Sequence, residues 1–154
     1  MPIYGPSWIR YYIGIPFKED GYTREGTNCW GLLCLILRER FQIVLPRHDE
    51  YYYKGKEDAK RAQEVMSRDL PNIIENQWYA IDHKEGRFQL GDVIILRLLG
   101  NPLHVALCVS STHMIHQEEG CNSVCEEISS PLWASRIHSV YRHITSVRLE
   151  APDE

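Results

Sequence analysis

The sequence predicts an α+β fold: N-terminal helices, one of them buried and central, packed on a five- to six-stranded antiparallel sheet. Two observations carry the prediction. Residues 28–41 place Trp30, Leu32, Leu33, Leu35, Ile36 and Leu37 nearly all round a helix, so its first half belongs inside a core. From Leu90 onward the rhythm changes to short apolar runs separated by turn residues, and helices followed by a run of strands mark α+β rather than alternating α/β. With 154 residues, 44% hydrophobic and 25% charged, the chain fits one globular domain over 1–154 with room for a real core.

The elements follow in order. Ser7 to Ile13 comes after a proline and reads as a short amphipathic helix; Gly14 to Thr27 reads as a loop. Asn28 is a good N-cap for a helix that runs on to Phe41, too long for a buried strand, and Leu45-Pro46 stops that region. Residues from about 48 to 84 read as a polar, partly helical insert. It opens with the run Tyr51-Tyr52-Tyr53 and carries Ala59, Ala62, Val65, Met66 and Leu70 at helical spacing, so a surface helix is expected over 58–70. The tyrosines suit a half-buried edge better than a sugar platform. Nothing local determines 71–84. Strands are expected at 93–98, 104–109, 113–117, 123–128 and 137–143, with a short tail over 144–154.

Several function classes are disfavoured at once. A net charge of −4 without a basic cluster argues against nucleic acid as a partner. The longest apolar run, Leu32 to Leu37, is too short for membrane insertion. Five cysteines at 29, 34, 108, 121 and 125 suggest no disulfide framework and read as reduced thiols, and Met1 to Pro6 lacks the features of a secretory signal. There is no phosphate loop and no Gly-x-Ser-x-Gly elbow. No cofactor is expected.

Cys29 is the residue with most chemical promise. A cysteine in the first turn of a helix sits at the positive end of the helix dipole, which favours thiolate. Taken alone it is more often a small buried hydrophobe. A nucleophile also needs a base and an orienting group. His104 opens a strand and shares a face with Ala106 and Cys108, small side chains that would let the helix approach. If Ser110-Ser111-Thr112 is a three-residue loop, Ala106 pairs with His116, which then lies diagonal to His104 on the same face. A two-residue loop would flip it away. His113, His116, Cys121 and Cys125 also resemble a zinc set, but His113 and His116 point to opposite faces of a strand, so the expectation is no metal.

Taken together, Gly14-Ile15-Pro16-Phe17, Gly26-Thr27-Asn28-Cys29-Trp30-Gly31-Leu32, Leu90-Gly91-Asp92-Val93-Ile94, His104-Val105-Ala106-Leu107 and Met114-Ile115-His116 resemble the NlpC superfamily of papain-like cysteine peptidases, which cut stem peptides of bacterial cell walls. The stretch from Ser129-Ser130-Pro131-Leu132-Trp133 to Val140-Tyr141-Arg142-His143 is similar to the branch carried at the tail tip of tailed bacteriophages. The resemblance implies a Cys29–His104–His116 triad and a thioacyl-enzyme. It implies attack at a D-glutamyl–diamino acid bond of peptidoglycan, with Asn28, Trp30, Phe17 and Tyr22 on the substrate or oxyanion side. It implies phage tail-tip or hub proteins as partners, synthesis in the host cytoplasm without a signal peptide, and action from the virion at the host cell wall. Two positions depart from the family's usual pattern: Asn28 where aspartate is common, and Phe17 where tyrosine is common. They motivate an alternative, a tail-tip structural or assembly protein with weak or no catalysis. A papain-like amidase or acyltransferase on another substrate is the third possibility.

Overall fold

A computed structural model describes residues 5–45, 77–98 and 101–145. The expected helix at 58–70, the tyrosine run and nearly all of the tail lie outside the described residues.

A 3₁₀ turn at Ser7–Tyr12 stands where the sequence suggested a short helix, and it buries Trp8, Ile9 and Tyr12. The segment expected to be a loop holds a small antiparallel hairpin, β1 (Tyr22–Thr23) and β2 (Gly26–Thr27), with Tyr22 opposite Thr27. Phe17 bridges Thr27 in parallel fashion from the other side. Helix α1 spans Cys29–Phe41 and starts at the Asn28 cap as expected. It ends where Gln42 turns left-handed at φ 53° and donates its N–H to Leu37 O.

The main sheet has six antiparallel strands: β3 (Trp78–Ile81), β4 (Val93–Leu98), β5 (Asn101–Cys108), β6 (His113–His116), β7 (Val124–Glu127) and β8 (Ile137–His143). Their order across the sheet is β3-β8-β4-β5-β6-β7. The strand β3 was undetermined in the sequence, because it pairs only with distant β8, Trp78 opposite His143. One turn of helix, α2 (Pro131–Ala134), was not foreseen; the Ser130 side chain caps it and it buries Trp133. Among the described residues no helix is long and apolar enough to cross a membrane.

The sheet separates two cores. On one face α1 packs its Leu32, Leu33 and Ile36 with Val105, Leu107, Val109 and Ile115. On the other, Ile94, Leu96, Ala106, Cys108, Met114 and Val140 pack with Trp133. The expectation that α1 would lie on the small-residue face of β5 is therefore wrong. It lies on the Val105 face, because β-branched and leucine side chains offer the helix more apolar area than alanine and cysteine.

Candidate active site

The start of α1 is held from two sides. Asn28, extended at φ −103° and ψ −176°, accepts from the Gly31 N–H at 2.7 Å, and its amide donates to the Glu19 carbonyl at 2.6 Å. Gly31 must be glycine: a Cβ there would stand 1.8 Å from the Gly21 carbonyl oxygen. The loop thus lies directly against the first turn. Cys29 occupies that turn, where backbone N–H groups have no carbonyl a turn earlier to satisfy them.

The ladder of β5 explains where the Cys29 sulfur goes. Cys108 N–H donates to Asp92 O, toward β4, whereas Val109 N–H donates to His113 O, toward β6. Main-chain groups alternate along an antiparallel strand, so the Val105 N–H also faces β6. But β6 ends at His116, which pairs with Ala106, so no ladder partner reaches Val105. The Cys29 sulfur takes that N–H instead, together with the N–H groups of Trp30 and of Cys29 itself. The Cys29 sulfur is therefore seated against the peptide that joins His104 to Val105.

The thiol keeps some exposed surface, yet protein atoms crowd the sulfur. Burial pushes it up to about 11, with the three N–H groups pulling the other way. This corrects the expectation of a thiolate favoured by the helix dipole. Desolvation of the anion outweighs the helix start here.

His104 and His116 meet as the three-residue hairpin requires. His116 pairs with Ala106, and His104 Nε2 lies 2.9 Å from His116 Nδ1. Both are buried. Burial, then the neighbouring His116, pull the His104 imidazole down to about 3, so it rests neutral. Burial also lowers His116, against the opposing pull of Glu126. The ring nitrogen of His104 left unused by His116 is Nδ1.

Glu126 was not foreseen. Its Oε1 is 2.9 Å from His116 Nε2, and its Oε2 accepts from the Trp133 indole at 3.1 Å. Trp133, fully buried, stacks on His104 at 5.8 Å between ring centroids and meets His116 edge-on at 4.7 Å. The register accounts for the contact: Met114 pairs with Glu126 and His116 with Val124, so Glu126 and His116 share a face. Glu127, one residue on, faces the other way.

The remaining candidates divide. Asn28 is buried with both ends of its amide engaged, so it shapes the helix start rather than meeting substrate. The Trp30 side chain packs in the core at 5% exposure and offers the site only its backbone N–H. Phe17 and Tyr22, both half-buried, flank Thr27 on its two sides. Thr27 itself is buried and donates to the Gln117 side-chain carbonyl. Gln117 in turn donates to Ile15 O at 2.9 Å and Cys121 O at 3.0 Å. One side chain beside His116 thereby ties the end of β6 to the segment that leads into Cys29. Of the residues weighed as a zinc set, His113 bonds Thr112 while His116 bonds Glu126, on opposite faces of β6. Among the described residues no three His, Cys, Asp or Glu side chains form a group that could hold a metal ion.

A buried helix that begins at a cysteine, laid against an antiparallel sheet whose neighbouring strands carry a bonded pair of buried histidines, is the layout of a papain-like fold. The chain belongs to the NlpC/P60 family, which it matches over residues 14–142. It is 21% identical over 129 residues to the murein DD-endopeptidase MepS/murein LD-carboxypeptidase of Escherichia coli K12, covering 84% of this chain and 56% of that protein. It is 36% identical over 39 residues, a quarter of each chain, to the probable endopeptidase NlpC of the same strain. The chain thus spans about half the length of the first of these relatives. Among solved structures, an NlpC/P60 family protein of Bacillus cereus superposes with a TM-score of 0.61 at 19% identity, over 93% of this chain and 41% of that one. The NlpC/p60 domain of the peptidoglycan hydrolase SagA gives 0.53 at 13% identity, over 88% and 96%.

Proposed function

We propose that this chain is a cysteine peptidase of bacterial peptidoglycan that cuts stem peptides through a thioacyl-enzyme. One observation carries the reading: the Cys29 sulfur rests on the peptide between His104 and Val105, and the His104 ring is bonded to His116. As the sulfur attacks the substrate carbonyl carbon, its proton passes to His104 Nδ1. The C–N bond then breaks, and the amine leaves with that proton. Water attacks the thioester, giving a proton to His104 that returns to sulfur as the acid departs. His116 holds the His104 ring, and the Cys29 backbone N–H at the helix start receives the oxyanion. The neutral resting pair, thiol and imidazole, means that proton transfer accompanies attack.

The similarity to the E. coli murein endopeptidase MepS and to the peptidoglycan hydrolase SagA supports peptidoglycan as the substrate. The D-glutamyl–diamino acid bond follows from the motif resemblance, with Phe17 and Tyr22 beside Thr27 on the substrate side. The segment 129–143 supports a place at a phage tail tip, with tail-tip or hub proteins as partners, delivery in the virion and action at the host wall. Mass spectrometry of muropeptides after incubation with wild type and Cys29→Ala tests the reading. A shorter stem peptide that appears only with wild type is the expected result, and its new termini name the bond. No Cys29-dependent product would overturn it.

The second reading, a structural protein that keeps the fold without turnover, is motivated by Phe17, which has no hydroxyl where the motif resemblance implies a tyrosine. Under that reading both proteins leave every muropeptide intact.

A further inference from the structure

His104, His116 and Glu126 form a diagonal row across β5, β6 and β7, roofed by Trp133. Resting on the reading of Cys29 as nucleophile and His104 as base, we propose that Glu126 is a positioning residue that sets the tautomer of both histidines. The Trp133 indole fixes which way Glu126 faces.

The argument is a count of protons. A carboxylate has none to give and only accepts. Its Oε2 takes the indole N–H of Trp133, which can only donate, and its Oε1 faces His116 Nε2 at 2.9 Å. His116 must therefore carry its proton on Nε2. Both rings rest neutral, so His116 Nδ1 is bare and can only accept. The 2.9 Å contact with His104 Nε2 then requires the His104 proton to sit on Nε2. His104 Nδ1 is left bare, the state a base needs to take the Cys29 proton. One carboxylate on the edge strand thereby dictates the state of a nitrogen two rings away.

Glutamine at 126 would have nearly the same shape and the opposite logic. With its oxygen kept on the Trp133 N–H, its amide N–H groups face His116 Nε2. That nitrogen must then be bare, His116 donates from Nδ1, and His104 ends with its proton on Nδ1, unable to accept from sulfur. Turning the amide over sets two donors against each other at the indole. Removing the indole N–H with Trp133→Phe frees the amide to turn its oxygen toward His116.

Histidine side-chain ¹⁵N NMR on the full chain reads the tautomers directly, and muropeptide cleavage reads their consequence. In wild type His116 is expected protonated on Nε2 and His104 on Nε2. In Glu126→Gln both protons move to Nδ1, and kcat falls by at least about a hundredfold with KM little changed, the pattern of a wrong-tautomer histidine. In Glu126→Gln/Trp133→Phe the wild-type tautomers return, with kcat at least about tenfold above the single Gln variant. A role confined to packing predicts the reverse, a double variant worse than either single one. His116 protonated on Nδ1 in wild type overturns the proposal without any variant, and so do wild-type tautomers or wild-type kcat in Glu126→Gln. If wild type cleaves no muropeptide, the hydrolase reading fails while the NMR measurement still decides the tautomers.

Discussion

The side chain of Asn28 works in two directions: its oxygen caps α1 at the Gly31 N–H, and its amide donates to the Glu19 carbonyl at 2.6 Å. An aspartate, the commoner residue here by the motif resemblance, would cap the helix equally well but has no proton for Glu19. The departure is thus explained within this chain, since only an amide serves both neighbours. Asn28→Ala is expected to cost ~1–2 kcal/mol by urea denaturation, for a cap and a buried hydrogen bond. Asn28→Asp should cost less and show its effect as faster amide exchange around residues 18–21. Equal losses for the two variants would mean that the cap contributes nothing, and no loss in Asn28→Asp would mean that the Glu19 bond contributes nothing.

The thiol itself makes a second prediction. With Cys29 held up at about 11, its alkylation by iodoacetamide should accelerate with rising pH, with no plateau near neutrality. Peptide mapping is needed, because Cys121 is exposed and reacts too. A plateau of Cys29 alkylation below pH 8 would reveal a thiolate–imidazolium pair in the resting protein and refute the neutral state.

Folding should depend on pH through His104. Its folded value near 3 lies below its ordinary 6.5, so between them the unfolded chain binds a proton that the folded one refuses. The corresponding stability is complete above about pH 6.5 and is lost as pH falls toward 3. The lowered values of His116 and His143 act in the same direction. Thermal melts from about pH 7 down to about pH 4 should show Tm falling. In His104→Asn, whose side chain does not titrate, the fall should be shallower; an unchanged slope would exclude His104 as a source.

Gln117 is expected to matter more than an ordinary surface glutamine. Gln117→Ala removes the acceptor of the Thr27 hydroxyl and a donor to the Cys121 carbonyl, and leaves the Ile15 carbonyl with the Ser123 N–H alone, a loss of ~1–3 kcal/mol in buried surroundings. Because the latch joins the Cys29 segment to the His116 strand, kcat should fall along with stability. Urea titration and muropeptide turnover on the same preparation check both.

How much of this was legible in the chain depended on distance along it. The start of α1 was readable because an N-cap is a local signal, and the pairing of Ala106 with His116 because a three-residue loop dictates register. The Glu126 contact was not: residues 117–123 join β6 to β7 without a turn of known geometry, so nothing set which of two adjacent glutamates would face His116. The face chosen by α1 was misread, since strand alternation says which side chains travel together but not which side the helix will cover. The thiol was misread for a related reason. A helix dipole is visible in sequence, whereas the desolvation that outweighs it depends on what packs around the sulfur.

The seat of the Cys29 sulfur bears on how long the protein survives. Oxidation to sulfenic and sulfinic acids proceeds through the thiolate, and a thiol at about 11 presents only about one thiolate in ten thousand at pH 7. Peroxide therefore meets an almost inert group at neutral pH. A thiol seated this way gives up resting reactivity and gains resistance to oxidation.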